Sequence, residues 1–277
     1  EPADAEGFSR RGAAFAARRD FEHALADFDR ACTMAPAEPR YLYQRGMVRL
    51  ENRQPVLALT DFDQALKLKP DDVATLLARA EMRLAQLGRA ADGKAGEGKA
   101  GDGKAGDGRV GALADLDAAA RAAAKSSDER LTIARLYASA FAFEPALVQT
   151  DLWIAAHPDD NQMGQALNGR CWTRAMLGRD LNKALSDCNA ALRRQPAEAG
   201  FLDSRGLVRL RLGDLDRSIA DYDAALALRP TNGWSLYGRG LARQRKGLKA
   251  EGDADIAAAL ALNPALADEA RRAGLTP

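Results

Sequence analysis

The chain has 277 residues, 47% hydrophobic and 6% aromatic, and its Lys+Arg of 40 against Asp+Glu of 39 leaves a net charge of +1. The charge balance argues against nucleic-acid binding driven by bulk basicity, and the apolar share against wholesale disorder. Three cysteines are too few for a disulfide scaffold. No run of about 18 apolar residues is present, so no transmembrane segment is expected. Abundant Ala, Leu and Arg with few aromatics favour helices over a β-sandwich. The chain opens Glu1-Pro2-Ala3, from which a processed chain or a fragment is expected.

Self-similarity organises the rest. In chain order, Ala26-Asp27-Phe28-Asp29 precedes Pro36. Arg45-Gly46-Met47-Val48-Arg49-Leu50 and Thr60-Asp61-Phe62-Asp63 then precede Pro70. Both words return as Arg205-Gly206-Leu207-Val208-Arg209-Leu210 and Ala220-Asp221-Tyr222-Asp223 before Pro230. The first recurs loosely as Arg239-Gly240-Leu241-Ala242-Arg243 before Pro264. Prolines 36, 70, 158, 196, 230 and 264 are 34, 88, 38, 34 and 34 residues apart. Seven units of 34 fit: 5–38, 39–72, 73–126, 127–160, 165–198, 199–232 and 233–266. The third carries an insertion of 20 residues, and four extra residues precede the fifth.

A 34-residue period with an early small residue, a late Ala-x3-aromatic and a closing Pro resembles the tetratricopeptide repeat, in a bacterial member of that family. The resemblance implies an all-α, right-handed solenoid of about seven helical hairpins spanning 1–277 as a single array. Segment 265–274, ending at Gly274, reads as a capping helix. Position eight (Gly12, Gly46, Ala80, Ala134, Gly206 and Gly240, with Trp172 in the fifth unit) and position twenty (Ala24, Ala58, Ala112, Ala146, Ala184, Ser218 and Gly252) are small in all but that one place, letting two helices approach closely.

Five units place Arg at position seven and Asp at position twenty-three. These predict structural ion pairs Arg11–Asp27, Arg45–Asp61, Arg79–Asp115, Arg205–Asp221 and Arg239–Asp255; the alternative is two independently solvated faces. In the fifth unit, Cys171 and Cys188 fall on facing helices. They are either a disulfide closing a 17-residue span or two small buried thiols. A disulfide would favour an exported, periplasmic setting over a cytoplasmic one. Residues 92–111 repeat a Gly-Lys-Ala-Gly-Asp-like pentapeptide four times and read as a flexible loop. Its literal matches to dinucleotide and phosphate-loop fingerprints follow from the period: no strand precedes them, and Ala105 stands where Mg²⁺ binding needs Ser or Thr.

No catalytic constellation is found. His23 and His157 are isolated, and no Cys-x-x-Cys and no metal-spaced His pair exist. The chain is expected to be non-enzymatic, without metal or cofactor. The resemblance implies a groove lined by the first helices. Carried over, this gives Tyr43, Met47, Leu77, Glu81, Arg135, Thr173, Asp203, Leu207, Trp234, Tyr237 and Leu241. Aromatic and Met anchors there suit capture of a protein or peptide partner. The two-carboxylate clamp of some family members is disfavoured, because Ser9 and Ala13 stand where Lys and Asn are needed. The expected function is a scaffold that binds a partner peptide or helix. The alternatives are an accessory region of a larger enzyme or exported factor, or a homo-oligomer that accepts its own termini.

Overall fold

The structure is a computed structural model and describes residues 2–91 and 102–276. Among the described residues there are fifteen helices and no strand. They form two compact units, Glu1–Ala124 and Lys125–Pro277. The first unit holds α1 (Ala5–Ala17), α2 (Phe21–Met34), α3 (Pro39–Glu51), α4 (Pro55–Leu68), α5 (Val73–Ala91) and α6 (Asp102–Ala122). The second holds α7 (Glu129–Ser139), α8 (Phe143–Ala156), α9 (Met163–Leu177), α10 (Leu181–Arg194), α11 (Ala199–Leu212), α12 (Leu215–Leu228), α13 (Gly233–Arg245), α14 (Lys249–Leu262) and α15 (Leu266–Arg272). Within each unit, odd- and even-numbered neighbours form hairpins that stack on the next hairpin, the architecture of an α-solenoid.

Local chemistry sets the ends of these helices. Asp4 accepts from the Gly7 N–H at 2.7 Å, Asp72 from that of Thr75 at 3.1 Å, and Asn232 from those of Trp234 and Ser235. Pro39 and Pro55 open α3 and α4, where the missing N–H costs nothing. The described hairpin turns all contain a left-handed residue: Gly178, Gly213 and Gly247 supply it freely, whereas Arg19, Arg53 and Phe141 adopt it at φ of 61°, 58° and 56°, and the fifth hairpin adds a second, Asp180, at 52°.

The small positions act as expected. Ala24, Ala58, Ala112 and Ala184 are fully buried. A Cβ on Gly46 would lie 2.6 Å from the Phe62 ring, and one on Gly206 3.0 Å from that of Tyr222. The glycine of the first helix thus makes room for the aromatic ring of the second.

Above this contact runs an ionic ladder. Arg45 forks onto both Asp61 oxygens, at 3.1 and 2.6 Å, and Arg49 adds a third bond at 2.7 Å. The remaining Nη1 of Arg45 reaches back to Asp29 of the preceding hairpin at 2.7 Å. The same unit recurs as Arg79, Arg83 and Asp115 with Asp63 behind, and as Arg239, Arg243 and Asp255 with Asp223 behind. Arg205 and Arg209 hold Asp221, with Asn189 in the rear position. Arg11 forks onto Asp27 without a second arginine, because Phe15 stands where the later hairpins carry it. Sequence reading missed the second arginine and the rear carboxylate. It also missed a sixth pair, in which Arg170 and Arg174 hold Asp187 and Arg170 reaches Asp151. The fourth hairpin substitutes a hydrogen bond from Arg130 to Gln149.

Two expectations are corrected. The flexible loop expected over 92–111 is helical in its described part, since α6 begins at Asp102; residues 92–101 lie outside the described residues. The insertion lengthens the hairpin instead: α5 has 19 residues and α6 has 21, against 13 and 14 in α3 and α4. Glycine is tolerated in α6 where the helices crowd. A Cβ on Gly108 would stand 3.3 Å from Leu87, and one on Gly111 3.1 Å from the Arg83 guanidinium.

The second correction is register. The fifth hairpin turns through Gly178-Arg179-Asp180, one residue more than the Gly213-Asp214 turn of the sixth. Its paired positions are therefore 17 apart instead of 16: Arg170 with Asp187, and Cys171 with Cys188. Cys171 takes the place of the packing glycine, Cys188 that of the ring, and a disulfide joins them across a Cα separation of 5.5 Å. Cys32 is free and half-buried.

Candidate functional site

Side by side in the second unit, the first helices α7, α9, α11 and α13 present one face. Near its amino-terminal end this face opens into a cleft of about 520 Å3. Leu131, Arg135 and Ala138 of α7 form one wall, Gln165, Asn168 and Trp172 of α9 the other, with Thr150 of α8 at the floor. The one-residue slip decides this lining: the groove position assigned to Thr173 belongs to Trp172. Thr173 is buried, with its hydroxyl donating to the Gly169 carbonyl at 2.8 Å, and only edges the cleft. The Trp172 ring meets Phe143 edge-on at 5.7 Å, and Phe143 meets Phe141 at 5.9 Å, so the far wall is an aromatic stack. The side-chain oxygen of Asn168, Oδ1, is buried there without a hydrogen-bond partner.

Beyond Trp172 the face is filled by the chain itself. Leu207, Tyr237 and Leu241 are buried and share one apolar cluster with Met176 and with Leu266, Ala270, Ala273 and Leu275 of the carboxy-terminal segment. Tyr237 donates its hydroxyl to the Leu275 carbonyl at 3.5 Å, Arg211 donates to the Ala273 carbonyl, and the Arg272 guanidinium sits 5.5 Å from the Phe141 ring centroid. Trp234 packs half-buried at the cluster's edge, 6.5 Å from the Tyr237 ring. The expected capping helix is therefore present as α15, and it also folds back over the face that it caps.

Asp203 is half-buried on α11 and accepts from the Ser235 hydroxyl at 2.5 Å. Burial pushes its carboxyl up to about 6, against the stabilising pull of that hydrogen bond. The Arg211 guanidinium is lowered from its ordinary value by burial and by the nearby Arg245. Burial raises the hydroxyls of Tyr237 and Tyr43.

In the first unit, Tyr43 and Met47 are half-buried against the Phe62 and Met82 cluster, Leu77 is buried and Glu81 exposed. The two histidines lie apart from both faces. His23 bonds Asp20 at the start of α2, which raises it from its ordinary value. His157 stacks on Trp153. Among the described residues no group of three or more His, Cys, Asp or Glu could hold a metal, and no helix is long and apolar enough to cross a membrane.

Residues 206–247 match the sequence model of the family described as TPR repeat. Comparison with curated proteins gives no match. Among solved structures, a tetratricopeptide repeat protein from Parabacteroides merdae is similar at TM-score 0.67 and 16% identity, over 98% of this chain and 99% of that one. YrrB, described as a TPR protein with an unusual peptide-binding site, is similar at TM-score 0.57 and 14% identity over 76% of this chain and 97% of that one. A chain of the Cut9–Hcn1 hetero-tetramer is similar at TM-score 0.56 and 13% identity over 86% of this chain and 43% of that one. At these identities the likeness is one of fold.

Proposed function

We propose that this tetratricopeptide-repeat protein is an interaction scaffold whose α7/α9 cleft holds an extended segment of a protein partner. The buried, unpartnered Oδ1 of Asn168 carries the reading. An acceptor left unpaired in the interior costs about 1–3 kcal/mol, and a turn of the Asn168 amide that brings Oδ1 into the cleft lets a peptide N–H relieve that cost. The Trp172 ring offers a flat apolar wall for a neighbouring side chain. Arg135 is exposed on the opposite wall, where it favours an acidic residue in the ligand. The volume suits a few residues and is too small for a folded domain. A peptide-binding site in YrrB, a protein of like fold, is compatible with this use of the face.

The test is selection of a random peptide display library on the intact protein, followed by titration of the enriched peptides. Asn168→Ala is expected to weaken them about 5- to 10-fold, the worth of one buried hydrogen bond, and Trp172→Ala to weaken them further. Enriched peptides that bind both variants like the parent protein would refute the assignment, as would selection that enriches none.

A further inference from the structure

The carboxy-terminal segment covers α9, α11 and α13, and it also reaches the α7/α8 hairpin. Leu266, Ala270, Ala273 and Leu275 are buried in the cluster that holds Phe143, Cys171 and Met176. Ala138 and Trp172 pack against that same cluster and also line the α7/α9 cleft. The seat of the segment and the wall of the cleft therefore share one apolar body. A chain of ring contacts joins them. The Arg272 guanidinium lies 5.5 Å from the Phe141 ring centroid, Phe141 meets Phe143 at 5.9 Å, and Phe143 meets Trp172 at 5.7 Å, both edge-on. Phe141 is an unfavourable residue for its place. It holds a left-handed φ of 56° in the α7/α8 turn, where the turns of the three following hairpins use Gly178, Gly213 and Gly247. A bulky side chain is disfavoured there, and glycine would meet the turn geometry better. What the position gains from phenylalanine is the ring, which receives Arg272 and passes the contact on to Phe143.

We propose that residues 266–275 are a clasp that sets the α7/α9 cleft. Docked, the segment fixes Phe141, Phe143 and Trp172 as one stack, and Trp172 stands ready as the cleft wall. Undocked, Phe141 and Trp172 regain their rotamers, and a ligand must first order them. Segment docking and cleft occupancy therefore strengthen each other by the same factor, as linkage requires. The segment has two discrete states. Helix α15 has seven residues, and a helix of that length is stable only against a surface, so it docks and folds, or leaves and unfolds, as one unit. The apolar anchors hold it in its seat, and Arg272 carries its presence to the α7/α8 hairpin. The effect on ligand affinity rests on the cleft being the peptide site; the effect on Trp172 does not.

The test labels the full chain with fluorotryptophan and follows the indole signals by fluorine NMR, with Trp172 assigned through Trp172→Phe. Arg272→Ala, which removes the first ring contact, and Leu266→Ser with Leu275→Ser, which unseats the segment, should each shift or broaden the Trp172 signal. The signal of Trp153, which lies in a separate cluster, should stay in place and reports an intact fold. Arg271→Ala should change nothing, because that guanidinium pairs with Asp268. Phe141→Gly suits the left-handed turn and deletes the relay, so in that background Arg272→Ala should no longer move Trp172. Peptides enriched on the α7/α9 cleft should bind about 3-fold more weakly to Arg272→Ala and about 10-fold more weakly to the unseated variant. A Trp172 signal indifferent to both folded variants would overturn the proposal. So would a response to Arg272→Ala that survives Phe141→Gly, or unchanged peptide affinity in variants whose Trp172 signal has moved. Failure to enrich any peptide that depends on Asn168 would instead refute the cleft as a ligand site, and the fluorine spectra would still decide the clasp.

Discussion

The ionic ladder makes a quantitative demand that the protein can test against itself. Asp61 is 1% exposed and accepts three bonds from Arg45 and Arg49, whose side chains are 15% and 17% exposed. Asp61→Asn keeps the shape but removes the charge and turns an N–H donor toward a guanidinium. Removing one partner from a buried pair costs about 3–5 kcal/mol. Arg45 keeps Asp29, and both arginines reach some water, so the expected loss is nearer to about 2–3 kcal/mol. Asp27 provides the control in the same compact unit. It is also buried, yet Arg11 is 39% exposed and no second arginine binds it, so solvent screening reduces Asp27→Asn to about 1 kcal/mol or less. Urea unfolding followed by circular dichroism gives the totals. Hydrogen exchange in α2 and α4 localises them, which matters because stacked repeats need not unfold in two states. Equal losses at the two sites, or a loss below about 0.5 kcal/mol at Asp61, would refute the claim that shared, buried acceptors hold neighbouring hairpins in register.

Three other outcomes are expected. The raised carboxyl of Asp203, about 6 against an ordinary 3.8, keeps its proton to higher pH in the native protein than in the unfolded chain, so stability falls as pH rises between those values. Asp203→Asn should therefore stabilise by roughly 1–3 kcal/mol at pH 7.5 and by almost nothing near pH 4; melting curves at both pH values check this, and a pH-independent difference would contradict it. Removing the disulfide as Cys171→Ala with Cys188→Ala should cost about 3 kcal/mol, whereas Cys171→Gly with Cys188→Phe, which rebuilds the glycine–ring contact of Gly46 and Phe62, should recover more than half of that in thermal unfolding. Arg53→Gly should gain about 0.5–1 kcal/mol by relieving the left-handed turn at φ 58°, and an unchanged urea midpoint would argue against strain there.

What the sequence made legible follows from period. Position-by-position comparison of 34-residue units locates the small residues and the Arg–Asp pairs, because these contacts repeat with the chain. It failed where one unit breaks phase. Register set by closing prolines puts four extra residues ahead of the fifth unit, whereas the structure puts one of the four inside the Gly178-Arg179-Asp180 turn. The correcting signal was present: Arg170 stands 17 residues before Asp187, as Cys171 stands 17 before Cys188, against 16 for Arg205 and Asp221. Reading that spacing would have moved Trp172 into the groove. Glycine content misleads at 102–111, because propensity counts glycine's entropy cost and is blind to a neighbouring helix whose Leu87 and Arg83 side chains stand 3.3 and 3.1 Å from where a Cβ on Gly108 and Gly111 would lie.

The fold-back of the carboxy-terminal segment is a different kind of omission. The helix itself is visible as Leu266 to Arg272, stopped before Gly274 at φ 66°. Its docking rests on Arg211 with Ala273, 62 residues apart, on Tyr237 with Leu275, 38 apart, and on Arg272 with Phe141. None of these pairs recurs with the 34-residue period, so no comparison among repeats can reveal them. The consequence is functional. Leu207, Tyr237 and Leu241 have the composition of a recognition face because they recognise something, namely the end of their own chain. A groove read only from apolar and aromatic residues on first helices cannot tell an open site from a filled one. The distinction lies in the polar atoms left over: Oδ1 of Asn168, buried beside an open cleft, and Nε of Arg211, buried beneath an occupant none of whose described residues bonds it.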